Sequence, residues 1–216
     1  MSEPSSKPSD AWIREYRRPD EAAAYRVCLQ TGDAGRDATA QYKDPRALGN
    51  IYVGPYLEFE PSLAFVLEDA QGVCGYCLGA LNTPDFFRRF LHEWLPPLRA
   101  RHPAPKGDPA GWNQDQRLYN ELHHPDLFFP EPIDLYPSHL HIDLIERAQG
   151  RGWGQKMVET LLDRMREQGS MGVHLGMWAR NERAYQFYRK LGFEELVRVG
   201  DPQMGSIYLG LRLNRT

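Results

Sequence analysis

The sequence predicts a mixed α/β fold: a central twisted sheet of about seven strands, flanked by helices, with a helical insertion before the fourth strand. Three observations carry that prediction. A strand-like run, Leu140 to Ile145, passes through a glycine-rich turn into a helical pattern. That pattern leads to a second strand-like run, Val173 to Trp178, and such a crossover makes the two strands locally parallel. On either side lie apolar runs joined by short glycine-containing links, which read as antiparallel hairpins.

Taken in order, residues 1–10 are polar, without an apolar stretch, and read as a disordered tail rather than a signal peptide. Residues 11–216 read as one domain. Trp12 to Tyr16 alternates as a first strand. Pro19-Asp20-Glu21 opens a helix that carries Tyr25, Cys28 and Leu29 on one face and ends near Thr31-Gly32. Asp44-Pro45 opens a second helix, to about Val53, and Gly54-Pro55 breaks it. Leu63 to Glu68 and Val73 to Leu81 form a hairpin through Asp69-Ala70-Gln71-Gly72. The insertion, residues 82–136, places Phe86, Phe87, Phe90, Leu91, Trp94 and Leu95 at helical spacing, and Pro96-Pro97 stops that run. A further short helix runs past Leu118 and Leu122 and closes at His124-Pro125. After Leu140 to Ile145, the residues Trp153, Met157, Leu161 and Met165 line one face of a helix. Val173 to Trp178 follows as a strand, then a helix from Asn181 to Lys190. Phe193 to Val199 and Ser206 to Leu211 close the chain as two strands.

Composition narrows the function. With 216 residues, 41% of them hydrophobic, the chain can bury a full core. A formal charge of -3 gives no electrostatic case for nucleic acid, and no apolar run is long enough to span a membrane. Three cysteines cannot make a disulfide framework, so a cytoplasmic location is expected. Cys74 and Cys77 sit three apart on a strand and face opposite sides, which argues against a shared metal. His139 and His141 lack an obvious third ligand, and no metal site is expected.

The chemistry concentrates at Gln149-Gly150-Arg151-Gly152-Trp153-Gly154, between a strand and a helix. The first amides of a helix have no internal partners and carry the positive end of its dipole. Glycines remove side chains that would keep an anion away from them. A nucleotide P-loop requires Gly-Lys-Ser/Thr, but Gln155 follows Gly154. A dinucleotide fingerprint requires a third glycine where Gln155 stands. On these six residues alone, a plain glycine-rich helix cap fits equally well.

Gln149, Gly152 and Gly154 give the spacing Gln-x-x-Gly-x-Gly, which resembles the acetyl-CoA pyrophosphate loop of the GCN5-related N-acetyltransferase (GNAT) family. The segment from Asn181 to Phe193 resembles the family's C-terminal signature at Asn181, Ala184, Phe187, Tyr188, Gly192 and Phe193. Ala64 to Asp69, Gly72 to Tyr76 and the insertion through Trp94-Leu95-Pro96 add a narrower resemblance. They are similar to the acetyltransferase-like C-terminal domain of O-GlcNAcase and its free-standing bacterial relatives.

The resemblance implies an acyl-CoA N-acyltransferase fold and transfer of acetyl from acetyl-CoA to a primary amine, on a small molecule or a protein lysine. Attack is direct, in a ternary complex. It assigns pyrophosphate binding to Gly150, Arg151, Gly152, Trp153, Gly154 and Gln155, with Gln149 shaping the turn. It gives the pantetheine arm to the backbone of Leu144 and Ile145, and a supporting role to Asn181. It places the Tyr188 hydroxyl beside the leaving sulfur as an acid; helical spacing alone reads Tyr188 as core. His139, His141 and Asp143 share one strand face, which is expected to line the acceptor side, with an edge-like solvated face as the alternative. Asp143 is the first choice as base or amine anchor, His141 the second, with a water relay as a further route. Asp33, Asp37, Trp94 and Trp112 are candidates to close over the acceptor, though ordinary loop polarity and local packing are the stronger reading of each taken singly. The rival readings are a non-catalytic acyl-CoA-binding or interaction domain and a nucleotide-binding domain without acyl chemistry.

Overall fold

Seven strands form one mixed sheet: β1 (Trp12–Glu15), β2 (Ala64–Asp69), β3 (Gly72–Ala80), β4 (Ser138–Leu144), β5 (Gly172–Trp178), β6 (Glu194–Val199) and β7 (Ser206–Arg212), in the order β1-β2-β3-β4-β5-β7-β6. The computed structural model describes residues 11–202 and 204–213; the expected tail, residues 1–10, lies outside them. Every neighbouring pair is antiparallel except β4 and β5, the pair for which the sequence demanded a crossover. The seven-stranded mixed sheet flanked by helices is as the sequence predicts.

The crossover is α7 (Trp153–Glu167), whose buried residues Met157, Val158, Leu161, Leu162 and Met165 cover one face of the sheet. Gly79 lets it come close: a Cβ there would stand 2.5 Å from Met165 Cε. The opposite face is covered by α1 (Glu21–Thr31), α2 (Ala47–Tyr52) and α3 (Gly54–Phe59). Tyr76 of β3, fully buried, points to that second face, where Cys28 of α1 stands against it. The cysteines are buried and free.

Two breaks expected from the sequence are instead starts. Gly54-Pro55 opens α3, because proline's fixed φ suits a first helical turn, where its missing N–H costs nothing. Gly54 is needed there, since a Cβ would fall 2.3 Å from the Tyr25 hydroxyl and 2.4 Å from the Trp94 ring. Pro96-Pro97 likewise lies in the first turn of α5 (Leu95–Arg101). The aromatic run begins as α4 (Thr83–Arg89) and widens into a π-type turn, Phe90–Trp94, so the prolines fall where a new helix begins. The insertion's last helix is α6 (Gln114–His123), and Phe90, Leu95, Leu98 and Leu122 form a small core of their own.

The feature that positions the site is the parting of β4 from β5. The two strands pair only at Ser138–Val173 and His139–His174. Beyond His139 they diverge, and α7 starts from the open end.

Candidate active site at the parting of β4 and β5

The turn before α7 contains two glycines in the left-handed region, Gly150 at φ 72° and Gly152 at φ 80°. Gly152 is the helix cap and supplies no side chain to the amides behind it. Nothing lies within 4 Å of where a Cβ would be at either glycine. The amides of Trp153, Gly154 and Gln155 therefore face open space at the positive end of a 15-residue helix. Arg151 is exposed on the same turn, and Lys156 Nζ sits 4.6 Å above the Trp153 ring.

Two contacts hold this turn. Gln149 Nε2 donates to Leu144 O at 2.6 Å. Arg147, on the single turn Glu146–Ala148, donates to Asp69 Oδ2 at 2.8 Å. That guanidinium holds the Asp69 carboxyl below the usual carboxylate range. Gln149 also reaches Gly35 O at 3.4 Å, in the loop after α1.

The end of β4 separates the two backbone candidates. Ile145 N–H is already donated to Cys74 O at 3.0 Å. In an antiparallel ladder such groups alternate, so Leu144 turns its N–H and C=O to the other side, where β5 has departed. Leu144 thus offers a main-chain donor to the gap, whereas the Ile145 amide is committed to β3. That corrects the expectation for Ile145.

Asn181 caps α8 (Glu182–Lys190), accepting from Ala184 N at 3.1 Å. Phe187 of α8 packs beside Gly154, where an added Cβ would lie 3.4 Å from its ring. Tyr188 is largely buried, with its ring against Phe187 and Phe193. Its hydroxyl has no hydrogen-bond partner, yet no buried side-chain oxygen is unpartnered among the described residues. The hydroxyl therefore reaches open space. Burial, with Cys77 and Asp143 nearby, pushes this phenol far above its ordinary range, so it stays a donor.

On the other face, Tyr76 brings together His141 and Asp143. The Tyr76 hydroxyl donates to Asp143 Oδ2 at 2.5 Å and lies 3.1 Å from His141 Nε2. His141 Nε2 is 3.2 Å from the same carboxylate oxygen, and the two side chains are 34% and 22% exposed, so both remain reachable. The Tyr52 ring lies 6.2 Å from the His141 ring, and its hydroxyl donates to Glu121 of α6 at 3.1 Å. Neither tyrosine was found by sequence reasoning. Alternation along β3 would have put Tyr76 on one face, but its pairing with Asp143 depends on a register set across the insertion.

His139 does not share the exposed role of its face. It is buried, with Nδ1 2.8 Å from the Thr83 hydroxyl, Nε2 2.9 Å from the Tyr56 hydroxyl and its ring stacked on Phe87. Both nitrogens are thus engaged away from His141. Trp94 and Trp112 follow the local-packing reading. Trp94 Nε1 donates to Asn50 O at 2.7 Å, and Trp112 Nε1 to Lys106 O at 3.3 Å. Each anchors its own surroundings. Asp33 pairs with Arg36 at 3.0 Å, and Asp37 caps Thr39 N at 2.8 Å. Among the described residues no helix is long and apolar enough to cross a membrane.

A parallel pair that parts at the N-terminus of a glycine-capped crossover helix defines an acyl-CoA N-acyltransferase type of fold. The sequence model of the acetyltransferase (GNAT) family matches residues 111–193, which contain the glycine turn and α8. The crystal structure of SsHAT is similar over 95% of this chain and 99% of that one, with 38% identity and a TM-score of 0.85. The chain belongs to the acetyltransferase (GNAT) family. The Salmonella typhimurium yncA structure, solved with its cofactor acetyl-CoA, shares the fold at 16% identity and a TM-score of 0.54, over 95% of each chain. Protein O-GlcNAcase of Rattus norvegicus is 27% identical over 202 residues, 93% of this chain. The chain spans 22% of the length of that relative.

Proposed function

We propose that the chain transfers acetyl from acetyl-CoA to a primary amine, by direct attack while both are bound. The observation that carries this reading is the glycine turn, set where β4 and β5 part. Its open amides and absent side chains fit a diphosphate, and the gap beyond Leu144 fits an extended amide-bearing arm. Acetyl-CoA, when bound, supplies the activated acyl thioester.

The chain's own groups then have separate tasks. Trp153, Gly154 and Gln155 donate to the diphosphate, with Gly150, Arg151 and Gly152 forming the cradle. Gln149 keeps the turn on the end of β4. Leu144 N–H meets the carbonyl oxygen and stabilises the charge that develops there. Asn181 fixes the start of α8, and so the height of Tyr188 above the gap. The Tyr188 hydroxyl donates to the leaving sulfur. Asp143 and His141, on the opposite side of β4, form the pair from which the base that takes the ammonium proton is drawn. The shared yncA fold with its acetyl-CoA and the family match support the reading.

The test is a calorimetric titration with acetyl-CoA, ATP and NAD, followed by thiol release with a panel of amines. Binding of acetyl-CoA and amine-dependent thiol release are expected. Preference for ATP or NAD would replace the reading with a nucleotide-binding one. Tight acetyl-CoA binding without thiol release from any amine would make the chain a non-catalytic acyl-CoA binder.

A further inference from the structure

The hydrogen-bond order around Tyr76 decides which group takes the proton. A carboxylate has no hydrogen to give, so the 2.5 Å contact between the Tyr76 hydroxyl and Asp143 Oδ2 is bridged by the phenol's own hydrogen. A phenol has only one. Toward His141 Nε2, at 3.1 Å, the Tyr76 oxygen can then only accept. Asp143 Oδ2, 3.2 Å from the same nitrogen, also can only accept. Both oxygens within reach of Nε2 therefore require a hydrogen on it. In the neutral ring the other nitrogen, Nδ1, holds the free lone pair. No protein group bonds to Nδ1 among the described residues, and no buried side-chain nitrogen is left unpartnered, so Nδ1 opens to solvent-accessible space.

We propose that His141 Nδ1, rather than Asp143, takes the proton from the acceptor ammonium, and that Asp143 and Tyr76 are positioning residues that fix the ring. This rests on the acetyl-transfer reading above. One N–H bond of the ammonium breaks and one Nδ1–H bond forms; the freed amine lone pair makes the C–N bond at the acyl carbon, the C–S bond breaks, and the second proton the nitrogen loses replaces the one Tyr188 gives to the leaving sulfur. The imidazolium charge is met by Asp143 through Nε2–H, and the proton leaves to solvent through the exposed edge of the ring. An imidazole also matches a working pH near neutrality better than a carboxylate does. The charged and titratable groups facing this ring come from several elements. They are Tyr76 and, behind it, Cys28; Asp143 on the same strand; Tyr52 with its partner Glu121; and His139, two residues back along β4.

Two measurements separate this proposal from the reading beneath it. Nitrogen-15 NMR of the ligand-free protein should show His141 as the Nε2–H tautomer, and Asp143→Asn should shift it toward a mixture. An Nδ1–H ring in the wild type overturns the proposal without touching acetyl transfer. Single-turnover pH profiles give the second readout. His141→Gln should lose about 10²- to 10⁴-fold in rate and its acidic limb. Tyr76→Phe leaves the Asp143 charge more available to the imidazolium, so its acidic limb should move to higher pH, with about a tenfold lower kcat and unchanged KM. An acidic limb that survives in His141→Gln but disappears in Asp143→Asn assigns the base to Asp143 and refutes the proposal. An Nε2–H ring in a protein that releases thiol with no amine would remove the base role together with the acetyl-transfer reading.

Discussion

Gln149 Nε2 donates to Leu144 O across 2.6 Å, tying the first residue of the glycine turn to the last residue of β4. The contact sets the distance between the diphosphate cradle and the free Leu144 amide. Gln149→Leu keeps the volume but drops the bond. A neutral hydrogen bond is worth about 1 kcal/mol net. KM for acetyl-CoA should rise about fivefold, with kcat changed less. Steady-state kinetics at saturating amine checks this; an unchanged KM would show that the turn holds itself.

Tyr188→Phe removes one hydroxyl that has no hydrogen-bond partner among the described residues and keeps the ring against Phe187 and Phe193, so packing should survive. If the hydroxyl meets the leaving sulfur, kcat should fall roughly 10- to 1000-fold while acetyl-CoA affinity stays similar. Because burial raises this phenol far above its ordinary range, the wild-type rate should show no loss from its ionisation up to about pH 10. A variant with full kcat and a changed melting temperature would reduce Tyr188 to a core residue.

The insertion should matter through its aromatic stripe rather than its tip. Phe86 packs 4.5 Å from the Tyr56 ring and 5.1 Å from His139. Phe86→Ala should cost about 3–5 kcal/mol, read by denaturant unfolding. Trimming the loop from Pro103 to Pro109, whose residues make few buried contacts, should leave acetyl-CoA binding intact. Full stability in Phe86→Ala would mark the insertion as surface decoration.

Acid should weaken the fold through His139 and His174. Burial lowers both imidazoles below their ordinary value of 6.5, His139 strongly. Above that value neither the folded nor the unfolded chain is protonated there, and the full stability is present. As pH falls below 6.5, the unfolded chain binds protons that the folded one refuses, and stability declines. Melting curves from pH 8 to pH 5 should show this decline. It should be shallower in His139→Gln, whose melting temperature at pH 8 is lower for loss of the Thr83 and Tyr56 bonds. Parallel curves would exclude His139 as a source of acid sensitivity.

Much of this was legible in the sequence because it is local. Gln149 to Gly154, the α7 stripe and the helix starting near Asn181 each lie within a short stretch, where spacing reports geometry directly. Gly54-Pro55 and Pro96-Pro97 misled because proline breaks a helix in its interior and starts one at its N-terminus, and the sequence alone does not say which. His139, His141 and Asp143 were correctly put on one face, but not at one depth. Their depth depends on Phe87 and Tyr56, which arrive from other elements. Tyr76 was missed for the same reason: it pairs with Asp143 across strands separated in sequence by the whole insertion, and no local spacing gives that register.

The most direct test of the central claim is acetyl-CoA affinity in Gly152→Asp against Gly152→Asn. Both variants put a similar side chain at φ 80°, at a strain of roughly 1–2 kcal/mol, and both should remain folded, since nothing lies within 4 Å of the new Cβ. Only Asp adds negative charge where the diphosphate is held. By isothermal titration calorimetry, Asn should weaken acetyl-CoA moderately, and Asp should weaken it by a few kcal/mol more. Wild-type affinity in Gly152→Asp would contradict the account, because no diphosphate could then lie against this turn.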